Sequence, residues 1–235
     1  MFLHEDHHWW FVARRKILQH ILDTFTPKPS VKNVLEIGCG SGGNLNMLSG
    51  YGTLHAMEYD DDARAAAAQR HICQVRAGSL PDNLPYKEKF DLICALDVVE
   101  HIDEDAASIQ SMEKLLNPGG TLLVTVPAYQ FLWSAHDVAN NHKRRYTKSS
   151  LRALLKNTQF SIVYCSYFNT FLFPSVLLAR ALNNMRGKKD EFDVNMPSPL
   201  INSFLAKVFS AERLFLPTIS FPFGVSLVLV ARRTT

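Results

Sequence analysis

Four glycines fall within six residues at Gly38-Cys39-Gly40-Ser41-Gly42-Gly43, between the apolar run Val34-Leu35-Glu36-Ile37 and the helix-like Asn44-Leu45-Asn46-Met47-Leu48. Glycine loses more backbone entropy on folding than any other residue. Such a density is sustained where the chain must turn sharply or let something approach its backbone. A strand, a glycine turn and a helix start together open a ligand-binding α/β unit.

The rest of the chain reads in the same alternation. Strands are expected at 34–37, 53–58, 72–76, 90–96, 121–126, 160–164 and 225–230, and helices at 7–24, from Asn44, at 61–69, 105–116 and 151–155. Asn117-Pro118-Gly119-Gly120 reads as a turn. Strands alternating with helices predict a doubly wound, mostly parallel sheet, with ligands beyond the carboxyl ends of its strands. The aromatic and aliphatic stretch before the last strand is too long for a bare loop. It is expected to hold helices.

At 235 residues, 47% apolar and 20% charged, the chain suits a single globular domain. Within it, residues 1–29 are expected to form a helical cap and 30–130 a cofactor-binding core. Residues 131–235 form a substrate-facing half, with a helical insertion at about 168–215 and a polar linker at 183–199. Cys39, Cys73, Cys94 and Cys165 are far apart and form no CxxC pair, which argues for reduced thiols and against a thiolate metal site. The acidic start, with no uninterrupted apolar stretch, is not a signal peptide, and a cytoplasmic protein is expected. The uncharged stretches 157–179 and 214–231 are broken by proline and polar residues. That argues against a spanning helix and leaves peripheral membrane contact open. His4-Glu5-Asp6-His7-His8 lacks helical ligand spacing, so a solvated end rather than a metal site is expected.

Charge separates the ligands that a glycine turn can serve. Gly38, Gly40 and Gly43 satisfy the dinucleotide pattern, but Glu36 would repel a pyrophosphate, and no Lys or Arg lies between Val34 and Tyr59. An ammonium or sulfonium suits this acidic strand end. Glu58, at the end of the second strand, is placed to accept from two ribose hydroxyls, a feature shared with nicotinamide enzymes. Asp97 and Glu100 add acids at the end of the fourth strand.

Val34-Leu35-Glu36-Ile37-Gly38-Cys39-Gly40-Ser41-Gly42 resembles motif I of the class I S-adenosylmethionine-dependent methyltransferases. Phe90 to His101 resembles their fourth-strand motif, and Leu115 to Leu122 the turn into their fifth strand. The resemblance covers residues 30–130 and implies a Rossmann-like seven-stranded sheet with an antiparallel last strand. It implies S-adenosylmethionine held by Glu36, Gly38, Cys39, Gly40, Ser41, Asn44, Leu96 and Asp97, and ribose by Glu58. Adenine would pack near Tyr59 and Leu80, with Ser79 where the family often has an acid. The family's N-terminal helix often closes over the cofactor, which would bring Arg14 or Arg15 to the methionine carboxylate.

Beyond the fifth strand, His142 before Thr147-Lys148-Ser149-Ser150-Leu151 resembles the branch that includes the ubiquinone-biosynthesis O-methyltransferases. His136 or His142 could then deprotonate a hydroxyl, with Asp137 orienting a ring. Arg144, Arg145 and Tyr146 are the expected substrate contacts, the arginines gripping an anion. Residues 1–128 hold 11 Lys/Arg against 17 Asp/Glu, and residues 129–235 hold 14 against 5. An acidic first half and a basic second half suit two different ligands: a cationic cofactor and an anionic small-molecule or lipid-linked acceptor methylated at oxygen. The alternatives are a nicotinamide-dependent oxidoreductase and a cofactor-binding regulatory protein without catalysis. A nucleic-acid methyltransferase is disfavoured, because no Asn/Asp-Pro-Pro-Tyr run follows the fourth strand and no RNA-binding module is present.

Overall fold

The computed structural model describes residues 5–26, 31–185 and 196–234. His4, the break at 27–30 and most of the expected linker, residues 186–195, lie outside the described residues. The chain opens with α1 (Trp9–Phe25), which buries Ala13, Ile17, Leu18, Ile21 and Leu22. That spacing puts one apolar stripe on the sheet. Then follow β1 (Asn33–Ile37), α2 (Leu45–Leu48), β2 (Thr53–Glu58), α3 (Asp61–Ala68), β3 (Val75–Ala77), β4 (Phe90–Leu96), α4 (Asp105–Leu115) and β5 (Leu116–Pro127). The second half holds α5 (Ala135–Ala139), α6 (Lys148–Ala153), β6 (Phe160–Phe168), α7 (Phe173–Met185), α8 (Pro199–Ser210) and β7 (Ser226–Arg233).

The seven strands form one sheet in the order β3-β2-β1-β4-β5-β7-β6. The pairs from β3 to β5 are parallel, and β7 runs antiparallel to both neighbours. Strand order reverses between β1 and β4, so a crevice opens there beyond Ile37 and Leu96. One face of the sheet is covered by α4 and α6, through residues such as Ile109, Met112 and Leu151. The other is covered by α1 and α8, where Phe168 stacks on Phe209 at 6.2 Å between ring centres. Central strands are therefore apolar on both sides, as Leu122, Leu123, Val124 and Val126 in β5 illustrate.

Several boundaries differ from expectation. The third strand is Val75–Ala77, because pairing with Ala56–Glu58 selects that register rather than the apolar run at 72–76. Asn117–Gly120 is no free turn. Leu116 already pairs with Phe90, and the residues between form a bulge with Gly119 at φ +76° and Asn117 donating to Asp91. β6 continues to Phe168, because the antiparallel partner β7 extends alongside it. Thr147 caps α6 by accepting from the Ser150 amide.

Candidate active site

A cavity of about 600 Å³ lies beyond the strand ends. Its floor is the glycine turn, Leu96, Asp97 and Pro127, and its roof is the segment from Glu5 to Arg15 with parts of α7 and α8.

The glycines of the turn divide by purpose. Gly38 has φ +65°, and a Cβ there would lie 2.6 Å from a Val98 methyl, so this glycine serves packing. Gly40, at φ +55°, has no atom within 4 Å of its missing side chain and lines the cavity. It is the glycine whose open side leaves room for a ligand. The Gly40 amide donates to Glu58 at 2.7 Å, and the Tyr59 and Asp60 amides donate to the other oxygen of the same carboxylate. Glu58 thus fixes the turn, and three of its roughly four acceptor positions are taken.

Glu36 is 1% exposed. One of its oxygens accepts from Asn44 at 2.9 Å, and the other has no partner among the described residues. Burial pushes its pKa up to about 8, with Glu5 and Glu58 adding repulsion. An orphaned buried carboxylate oxygen beside an open glycine suits a cation. Asp97, strained at φ +60°, receives Arg14 at 2.8 Å, and Thr125 joins both side chains. Both Arg14 and Arg15 line the cavity and both are engaged, Arg14 with Asp97 and Thr125, Arg15 with the Glu5 carbonyl.

The residues expected around an adenine lie apart from this cavity's lining. Tyr59 is 78% exposed, the Ser79 backbone pairs with Asn83, and Leu80 packs on the core.

At the other end stands a network centred on Asp137. Its carboxylate receives Arg145 at 2.7 and 2.9 Å, His142 Nδ1 at 2.8 Å and the Ser134 amide at 2.8 Å. Burial alone would raise its pKa, but the His142 and Arg145 hydrogen bonds hold it far below the carboxylate range. An acceptor-only carboxylate at Nδ1 fixes the His142 tautomer with Nε2 free to take a proton. His136 and His101 flank His142, with ring centres 6.2 and 4.6 Å away. Burial, then the neighbouring His142 charge, lowers the pKa of both.

Two expectations for this half are corrected. Arg144 pairs with Asp105 at 2.8 Å, and the buried Tyr146 hydroxyl donates to that same carboxylate. They anchor the segment to the start of α4 and do not line the cavity. Arg145 does line it, but its guanidinium is spent on Asp137. The anion grip drawn from Lys143-Arg144-Arg145 is therefore not what the fold builds.

Sequence reasoning missed Glu5, which reads as part of a solvated terminus. It also missed the isolation of Glu100. That residue is fully buried with neither carboxylate oxygen partnered among the described residues, and burial followed by Asp97 raises its pKa. Glu100, His101 and His142 bring one potential metal-ligand atom each within 4.8 Å of one another. No spacing in the sequence announces that trio, since His142 joins it only through the fold.

A family model described as a methyltransferase domain matches residues 9–164. A Mycobacterium tuberculosis protein named as a probable S-adenosylmethionine-dependent methyltransferase is 25% identical over 169 residues, 68% of this chain and 59% of its own length. A ubiquinone biosynthesis O-methyltransferase of Pseudomonas fluorescens is 30% identical over 99 residues, 38% of this chain and 41% of that protein. The chain thus spans less than two thirds of the curated relatives it matches. The fold is shared with a Haemonchus contortus phosphoethanolamine N-methyltransferase solved with S-adenosyl-L-methionine. That likeness has a TM-score of 0.57 and 15% identity, over 92% of this chain and 51% of that one.

Proposed function

The chain belongs to the methyltransferase-domain family, and on that premise we propose that it moves a methyl group from S-adenosylmethionine to a hydroxyl of an anionic, partly apolar acceptor. The observation that carries this reading is the single cavity joining an acid-lined glycine turn to a carboxylate-oriented histidine. When bound, the cofactor supplies an electrophilic methyl on a sulfonium. Gly40 gives it backbone clearance, Glu5 and Asp97 line the cavity beside it, and Glu36 can ionise when a cation arrives. Asp97 stands at the strand end between the two ends of the cavity.

His142 is the group placed to take the acceptor's proton, because Asp137 holds Nδ1 and leaves Nε2 to face the acceptor. Arg145 keeps Asp137 ionised, so the histidine stays oriented through the proton transfer. His136, its pKa lowered by burial, remains neutral beside it. The apolar side chains lining the cavity, including Trp10, Leu172, Val176 and Leu205, suit an apolar body. The anionic character of the acceptor draws support from the surplus of Lys/Arg over Asp/Glu in residues 129–235, and not from a grip by Arg145, which is engaged with Asp137. A nicotinamide cofactor fits less well, since its pyrophosphate would meet Glu36 and Glu58.

A lipid-linked acceptor draws support from α7 and α8. Both wall the cavity, and both expose apolar side chains outward, among them Leu178, Phe204 and Leu200, the last 85% exposed. Among the described residues no helix is long and apolar enough to cross a membrane. Peripheral contact through these helices therefore fits better than insertion. Four unpaired thiols, three of them buried, suit a reducing cytoplasm.

The test is to incubate the protein with methyl-labelled cofactor and separate lipid and metabolite extracts. Label should enter an anionic product that partitions into organic solvent, and His142→Gln should abolish it. Label in a neutral polar product, or undiminished labelling by that variant, contradicts the reading.

A further inference from the structure

Gly43 has an ordinary backbone conformation, so its own φ does not require glycine. Its open side is filled by Glu5: a Cβ at Gly43 would stand 2.5 Å from the Glu5 carboxylate and would push that side chain aside. The glycine run therefore makes room for an acid from the N-terminal segment, 38 positions earlier in the chain. That carboxylate accepts a hydrogen bond from the Ser41 hydroxyl, is 14% exposed and lines the cavity.

Its placement is held by two arginines. Arg15 donates to the Glu5 backbone carbonyl at 2.9 Å. Arg70 donates to the Ser41 carbonyl at 2.7 Å and pairs with Asp6 at 3.0 Å, tying the N-terminal segment to the glycine turn. Arg70 approaches the Glu5 carboxylate only to 3.7 Å and is not part of the cavity wall. Three carboxylates, Glu5, Glu36 and Glu58, thus surround one turn. Glu5 and Glu58 both raise the pKa of Glu36, and an added cation would relieve that repulsion.

We propose that Glu5 is a cofactor ligand, contributed by the N-terminal segment, that takes the α-ammonium of the methionine end. This rests on the S-adenosylmethionine reading above. In this arrangement Ser41 and Arg15 aim the carboxylate, and Arg70 keeps the segment down on the turn. Closure of the N-terminal segment and recognition of the amino group become one event. A ligand lacking that group gains nothing from Glu5.

The experiment uses the full chain and two probes: S-adenosylhomocysteine, which carries the ammonium, and methylthioadenosine, which lacks the amino-acid end. Affinities are measured calorimetrically for the parent and for Glu5→Gln, which keeps shape and removes charge. The expected result is a loss of about tenfold or more for S-adenosylhomocysteine, with methylthioadenosine unchanged, as one charge-assisted hydrogen bond implies. Arg70→Ala, which loosens the segment without touching the cavity, should weaken S-adenosylhomocysteine in the same selective way. If the parent binds S-adenosylhomocysteine and Glu5→Gln binds it equally well, this proposal fails and the cofactor reading stands. If both probes weaken in parallel, Glu5 is a structural clasp and the proposal again fails. If the parent binds neither probe, the cofactor reading itself falls and takes this proposal with it.

Discussion

The two ends of the cavity handle charge in opposite ways. At the glycine turn Glu36 keeps one oxygen without a partner among the described residues, and Glu5 and Glu58 face the same loop. At the far end the acid that orients the histidine, Asp137, is saturated by Arg145, His142 and Ser134, while the neighbouring Glu100 is fully buried with neither oxygen partnered among the described residues. An unsatisfied end is built for a charge that arrives with a ligand. A saturated carboxylate such as Asp137 is built to hold geometry while something else reacts. The first is assembled largely from the turn after β1 and its N-terminal cover. The second needs residues from 97 to 226, and its histidine is useful only because a buried acid is itself held by an arginine.

The comparison can be broken hardest at Asp137. Asp137→Asn leaves Arg145 buried without its counter-charge, and losing one partner of a buried pair costs roughly 3–5 kcal/mol. Denaturant unfolding should show that loss, and turnover should fall by about 10³-fold or more as His142 loses its orienting anion. The pH dependence has a definite sign. The Asp137 pKa is depressed in the fold, so its contribution is present above the ordinary carboxylate range and fades as pH falls below it. The parent should therefore lose stability on acidification more steeply than the variant.

The glycines give the next largest effect and sharpen the contrast between packing and ligand clearance. Gly38→Ala drives a methyl into Val98 and should destabilise the fold by about 1–3 kcal/mol. Val98→Ala in the same chain should recover part of that loss, a coupling readable in a double-mutant cycle. Gly40→Val meets no protein atom near its Cβ, so beyond the strain of its positive φ its main effect should fall on cofactor affinity. Equal stability losses with unchanged affinity would erase the distinction.

Glu36 supplies a gentler test. Its folded pKa of about 8 lies above the ordinary carboxylate value, so its share of stability is present at low pH and is lost as pH rises toward 8. A bound cation lowers that pKa. Cofactor affinity should therefore climb with pH up to about 8 and then level off. Calorimetry in buffers of different ionisation heat should detect proton release on binding, absent in Glu36→Gln. Smallest of all is Arg144→Ala. Its pair with Asp105 is partly exposed, so stability should fall by under about 1 kcal/mol and the acceptor's KM should not move.

Legibility in the sequence follows the range of the interactions. The strands β1, β2 and β4 and the glycine turn are local features: apolar runs with breakers at their ends, readable without knowing the neighbours. The limits of β3, β5 and β6 are set by partners far away in the chain, such as Phe90 for Leu116, and no local signal contains them. In the site, Glu36 and the histidines were legible by type and position. Arg144 and Arg145 misled because a basic run says nothing about which acids will face it. Asp105 and Asp137 face them here. Glu5 looked like a frayed terminus because only tertiary closure brings it to Gly43.

The central claim is that one end of the cavity binds the cofactor independently of the other. The most direct measurement is a calorimetric titration with S-adenosylhomocysteine of three proteins: the parent, Asp137→Asn and Gly40→Val, each held well below its unfolding temperature. The account predicts that the parent and Asp137→Asn bind with the same affinity and that Gly40→Val does not bind. Absence of binding by the parent, or equal weakening in both variants, would contradict it.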